Sequence, residues 1–207
     1  MTTEPRMLTT VDGVELEAEF AVPDAAWGVV VATHPHPLYG GTMRDGIPDV
    51  LYRTLPGRGL AVARFNFRGV GRSGGTHDDG VAERDDVRAA LDAARAAVPT
   101  GPLVVAGWSF GADVALAVGH PAIDGWCAVA PPLRIVDPAT MPAATDPRPV
   151  LVLCPENDQY RPPASAAEIV GAWTTTELRT VAGADHFLWG HGGEVADAVE
   201  AFTRTLT

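Results

Sequence analysis

The 207-residue chain has 46% hydrophobic and 20% charged residues, which suits one domain with a sizeable core and is short for two. Its formal net charge of −11 argues against a nucleic-acid partner, because phosphate binding needs clustered Arg or Lys. The 15 basic residues are all arginine, so chemistry that needs a lysine amine is excluded, from P-loops to Schiff-base and pyridoxal-phosphate enzymes.

The first segment, which carries Glu4 and Pro5, has no apolar stretch of the signal-peptide kind. No run has the length to span a membrane, and a cytoplasmic protein is the expectation. Leu8 to Val11, an Asp12-Gly13 turn and Val14 to Phe20 alternate as a β-hairpin does. After Pro23 short continuous apolar runs take over, at Val29 to Thr33, Leu60 to Phe67, Leu103 to Gly107, Trp126 to Ala130 and Val150 to Cys154, with Thr176 to Val181 as a further strand. Runs apolar on both faces suit a parallel sheet covered by helices. Helical segments fall between them at Ile47 to Leu55, Val81 to Val98, Phe110 to Val118, Ala164 to Trp173 and Val195 to Arg204. A hairpin followed by alternating strands and helices predicts one α/β domain over residues 1–207, with a doubly wound, mostly parallel sheet and an antiparallel N-terminal hairpin. The two cysteines, Cys127 and Cys154, sit inside strand runs without metal-like spacing and read as buried core residues.

Gly107-Trp108-Ser109-Phe110-Gly111 follows one strand and opens one helix, the context of a nucleophile elbow. The chain holds only three serines, Ser73, Ser109 and Ser165. A serine hydroxyl needs a base, and the base needs a carboxylate to hold its tautomer. Beyond Ser109, the strand Val150 to Cys154 runs into Pro155-Glu156-Asn157-Asp158, and the next strand into Gly183-Ala184-Asp185-His186. Asp158 and His186 therefore fall in loops at C-terminal strand ends, where such sheets build their sites. Glu156 and Asp137 compete for the acid, and His191 and His120 for the base.

An oxyanion hole needs two backbone donors. One is the amide of Phe110. The other comes from His34-Pro35-His36-Pro37-Leu38-Tyr39-Gly40-Gly41, whose prolines have no N–H. Aligning His36 to Gly40 on an HGxxG pattern makes Leu38 the donor, with His36 as the alternative. His34 and His36 lack a Cys or acidic partner nearby, so no metal is expected. Gly69-Val70-Gly71-Arg72-Ser73-Gly74 matches the letters of a dinucleotide fingerprint, but loop rather than helix follows it. It reads as a glycine turn, and no cofactor is expected.

The segments HPHPLYGGTM, RFNFRGVGRSGG, GWSFGA and ENDQ…GADHF together resemble a family of small bacterial α/β-hydrolases, predicted serine esterases near the dienelactone-hydrolase-like branch. The resemblance runs from about Val29 to about Leu188. It implies the α/β-hydrolase fold and a Ser-Asp-His triad falling on Ser109, Asp158 and His186, with Leu38 matching the oxyanion donor. Dienelactone hydrolases carry a cysteine nucleophile where this chain has Ser109, so their reaction is not implied.

Only Pro131 to Pro149 separates two strands where this fold usually inserts its cap, which is too short for a large cap domain. An open site lined by Trp108, Phe110, Leu38, Tyr39, Leu133 and Tyr160 is expected, acting on a small ester or thioester. A peptidase or acyltransferase using the same residues, and a non-catalytic binding protein of this fold, are the rivals.

Overall fold

In the computed structural model, which describes residues 2–207, the chain begins as two antiparallel strands, β1 (Thr2–Thr9) and β2 (Glu15–Val22). β1 starts earlier than the alternation suggested and runs through Pro5, which pairs with Glu19. It can do so because β1 is an edge strand, where a missing N–H leaves no ladder bond unmade. Then follow β3 (Gly28–Thr33), α1 (Gly46–Thr54), β4 (Leu60–Phe65), α2 (Glu83–Ala97), β5 (Leu103–Trp108), α3 (Phe110–Leu116), β6 (Gly125–Val129), β7 (Val150–Pro155), α4 (Pro163–Val170), β8 (Thr176–Val181) and α5 (Gly192–Arg204). The eight strands form one sheet in the order β1-β2-β4-β3-β5-β6-β7-β8. β2 joins β4 antiparallel, and every pairing from β4 to β8 is parallel.

Strand alternation decides which helix each residue meets. In β3, Val29 and Val31 face one apolar cluster, with Val87 and Leu91 of α2 and Val114 of α3. Val30 and Ala32 face the other, with Leu51 of α1 and Val199 and Phe202 of α5. Both faces are buried, which is why these strands read as unbroken apolar runs. Cys127 and Cys154 lie in opposite clusters, and burial pushes both thiols up to about 12.

β4 stops two residues short of the predicted Phe67 because Ser73 interrupts the ladder, its Oγ accepting the Glu17 N–H and donating to Asn66 O. The N–H of Asn66 bonds Glu17 O at 2.8 Å, and that of Phe67 bonds Nε2 of the buried His34 at 3.0 Å. The other ring nitrogen of His34, Nδ1, lies 2.7 Å from Pro35 O, so His34 is neutral with its proton on Nδ1. Burial holds its pKa down to about 4. The unfolded chain, with an ordinary histidine near 6.5, takes up a proton first as the pH falls. The contribution of His34 is thus complete above about pH 6.5 and is lost between there and about pH 4. Between pH 7.5 and 5 the wild type should lose roughly 2 kcal/mol more stability than His34→Gln, by urea unfolding. The variant comparison cancels Asp113, which burial raises to about 6 and which works in the opposite direction. Equal losses in the two proteins would refute the role given to His34.

The GxGxxG segment closes on itself. The N–H of Gly69 bonds Gly74 O and that of Ser73 bonds Val70 O, while the buried Glu17 accepts the Arg72 N–H at 3.1 Å. At Gly71 (φ 58°) a Cβ would meet Glu17 Oε2 at 2.7 Å. α2 begins only at Glu83. The turn ties the N-terminal hairpin to β4.

Candidate active site

Between β5 and α3 the backbone reverses in one residue. Ser109 has φ 54° and ψ −120°, a conformation that costs a non-glycine residue on the order of 1–3 kcal/mol. The turn is possible because its glycines let backbones touch. A Cβ on Gly107 would overlap Gly111 O, and one on Gly111 would meet Thr33 Oγ1 at 2.7 Å. The Ser109 N–H is anchored on Val129 O at 2.9 Å, which leaves the hydroxyl projecting at the first turn of α3.

Ser109 Oγ lies 2.8 Å from His186 Nε2, and His186 Nδ1 lies 2.8 Å from Asp158 Oδ2. The three side chains form one hydrogen-bonded row. His186 and Asp158 are buried, and the second oxygen of Asp158 accepts the N–H groups of Tyr160 (2.8 Å) and Arg161 (3.0 Å). The competing residues lie elsewhere in function. Glu156 accepts the Gly183 N–H at 2.7 Å, Asp137 caps the turn Pro138–Thr140, His191 sits beside Glu194, and His120 beside Asp92.

The loop after β3 carries both amides expected as the second oxyanion donor, Leu38 and the alternative His36. The N–H of Leu38 is turned onto His36 Nδ1 at 3.3 Å, because Pro37 starts a 3-10 turn, Pro37–Tyr39, that rotates this amide back toward the ring. The Leu38 amide is thus paired within its own turn. The N–H of His36 has no acceptor among the described residues, and neither has that of Phe110. The rings of His36 and Phe110 lie 4.9 Å apart. Next to this loop runs a cleft of about 530 Å³ lined by Pro37, Leu38, Gly69, Val70, Thr76 and His77, among others.

Three further expectations of the site lining are corrected, the first being Phe110, whose side chain is buried in the core. Trp108 is buried and does not line an open site. Its ring covers Gly46, where a Cβ would overlap it, and its Nε1 donates to His186 O at 3.3 Å. Trp108 supports the histidine loop from beneath. Leu133 is buried in the core, with its N–H on Asp113 Oδ1 at 2.9 Å. The same buried carboxylate accepts the amides of Arg134 and Ile135, each at 2.9 Å. From above, Arg161 donates to Pro132 O at 2.9 Å and to Ser165 Oγ at 2.8 Å. The chain at 132–135 is thus gripped between Asp113 and Arg161.

Tyr160 and Tyr39 are exposed. Tyr160 lies edge-on to His186, with centroids 4.5 Å apart, and Tyr39 lies 4.7 Å from His36. Phe187 lies 5.8 Å from the His186 ring and Trp189 is 80% exposed, two aromatics not expected at the site from the sequence. The signal was two aromatics placed one and three residues after the histidine.

The family model described as serine aminopeptidase, S33, matches residues 40–146, a span that includes Ser109 and ends before Asp158. An uncharacterised protein of Rickettsia prowazekii is 31% identical over 188 residues, covering 86% of this chain and 79% of its own. Among solved structures, an α/β serine hydrolase homologue from Coxiella burnetii is 29% identical with a TM-score of 0.85, over 100% of this chain and 99% of that one. An α/β serine hydrolase without lid from Xanthomonas campestris is 27% identical with a TM-score of 0.86, over 99% and 95%. A Pyrococcus furiosus esterase, 18% identical with a TM-score of 0.81 over 99% and 92%, shares the fold.

Proposed function

This chain belongs to the serine aminopeptidase S33 family of α/β-hydrolase-fold serine hydrolases, and on that premise we propose that it cleaves a small carboxylic ester or thioester through an acyl-enzyme on Ser109. The observation that carries the reading is the row from Ser109 Oγ through His186 to Asp158, with both links at 2.8 Å. Only a histidine with its proton on Nδ1 can accept the serine proton at Nε2, and the buried Asp158 carboxylate favours that tautomer.

In this mechanism His186 takes the proton as Ser109 attacks the substrate carbonyl, and Asp158 stabilises the imidazolium. The amides of Phe110 and His36 receive the oxyanion, His36 replacing Leu38 because its N–H is free to do so. His186 returns the proton to the leaving alcohol or thiol. It then deprotonates a water that releases the acyl group and restores Ser109.

An ester or thioester is favoured over a longer substrate by the absence of a lid. Two short 3-10 turns, Pro138–Thr140 and Pro142–Ala144, fill the connection before β7, and the Xanthomonas relative is likewise described as lidless. A fluorophosphonate probe should label the folded protein once, at Ser109. Ser73 is buried, donating to Asn66 O at 2.7 Å, and Ser165 serves Arg161. Absence of labelling would overturn the reading. A panel of p-nitrophenyl esters and aminoacyl p-nitroanilides should show turnover of the esters, and turnover of the anilides alone would make the chain a peptidase.

A further inference from the structure

Twelve of the 15 arginines lie within salt-bridge distance of a carboxylate, as the charge of −11 makes easy. Arg161 donates to main-chain carbonyls and Ser165, and Arg84 to Gly80 O. Arg134 differs from all of these. Among the described residues its guanidinium meets no carboxylate and no carbonyl. Its one contact is the face of Tyr160, 5.4 Å from the ring centroid, and that ring is the one set edge-on to His186.

The carboxylates that lie close in sequence or by contact to Arg134, Tyr160 and His186 are engaged elsewhere. Asp113 is committed to three amides, and Asp158 to His186 and two amides. Asp137 holds the Ala139 N–H, and Asp185 the Phe187 N–H. The backbone of Arg134 is also held rigidly, by Asp113 on one side and by Arg161 through Pro132 O on the other. An exposed guanidinium without a carboxylate partner, laid over the ring that packs against His186, suits a planar anion, which it can bind with two parallel N–H bonds. We propose that Arg134, supported by Tyr160, recognises a carboxylate carried by the substrate, making the preferred substrates anionic esters or thioesters. The inference rests on the hydrolase reading above.

The test compares charged and neutral esters of similar shape. Mono-p-nitrophenyl suberate against p-nitrophenyl octanoate places the carboxylate on the acyl side. A 4-butyryloxybenzoate against 4-butyryloxybenzamide places it on the alcohol side. The wild type should favour the charged member about tenfold or more in kcat/KM in one of the two pairs. Arg134→Gln should bring that ratio close to one, chiefly through KM, and Arg134→Lys should keep part of it. Arg204→Gln makes the same change in net charge at the far end of the sheet, where Arg204 covers Trp27 just before β3, and should keep the wild-type ratio. Each of these side chains is exposed, so the variants should fold. Hydrolysis of the neutral esters with no charged preference in either pair, or an unaltered ratio in Arg134→Gln, would overturn the anion site alone. Hydrolysis of none of the four would overturn the hydrolase reading and this inference with it.

Discussion

Ser109→Ala should abolish ester turnover, lowering kcat by about 10⁶ if it follows the serine-protease precedent, while the protein stays folded. The hydroxyl makes one contact, with His186 Nε2, and is only partly buried. Its loss therefore leaves no buried group without a partner and opens no core cavity. The turn itself depends on Gly107, Gly111 and the Ser109 N–H on Val129 O, all of which survive the substitution, and alanine bears the positive φ no worse than serine. Circular dichroism and a thermal melt within a few degrees of the wild type would establish folding. Retained turnover in such a protein, after active-site titration rules out contaminating wild type, would remove Ser109 from the mechanism.

Asp158→Asn should cost about 10⁴ in kcat, and the hydrogen bonds explain why. Asp158 uses one oxygen to accept two backbone N–H groups, from Tyr160 and Arg161, and the other to face His186 Nδ1. An asparagine can satisfy the two amides only with its carbonyl oxygen, so its NH₂ must face the ring. That converts Nδ1 into an acceptor and moves the ring proton to Nε2, where it blocks uptake of the serine proton. Glu156→Gln should change kcat by less than about threefold, since its partner is the Gly183 N–H and a glutamine oxygen accepts that bond equally well. The reverse ranking of the two substitutions would mean that the acid is misassigned, and would leave Ser109 and His186 in place.

Much of this was legible in local pattern. A nucleophile elbow is a contiguous five-residue feature whose glycines are demanded by contacts within the turn and with the adjacent strand, so its letters carry its shape. Strands apolar on both faces announced their two covering layers, and the placement of Asp158 and His186 followed from strand ends alone. Boundaries were less legible. β1 extends through Pro5 because of its edge position, and β4 ends early because the Ser73 hydroxyl and the His34 ring take bonds the ladder would use, the ring being distant in sequence.

What the chain's letters determined by themselves, then, was the order of strands and helices, the Gly-x-Ser-x-Gly turn and the short connection before β7 that leaves no room for a large cap. Only the tertiary structure decided which side chains face outward and which amides remain free. Trp108 and Leu133 sit beside site residues in sequence yet point into the core, because β5 is buried on both faces and the Leu133 amide is held by Asp113. The Leu38 amide is paired with the ring of His36, a contact that no motif announces. The isolation of Arg134 is likewise invisible in the letters. A charge is compensated or not according to what the fold brings within about 4 Å of it, and that depends on every other loop at the same edge of the sheet.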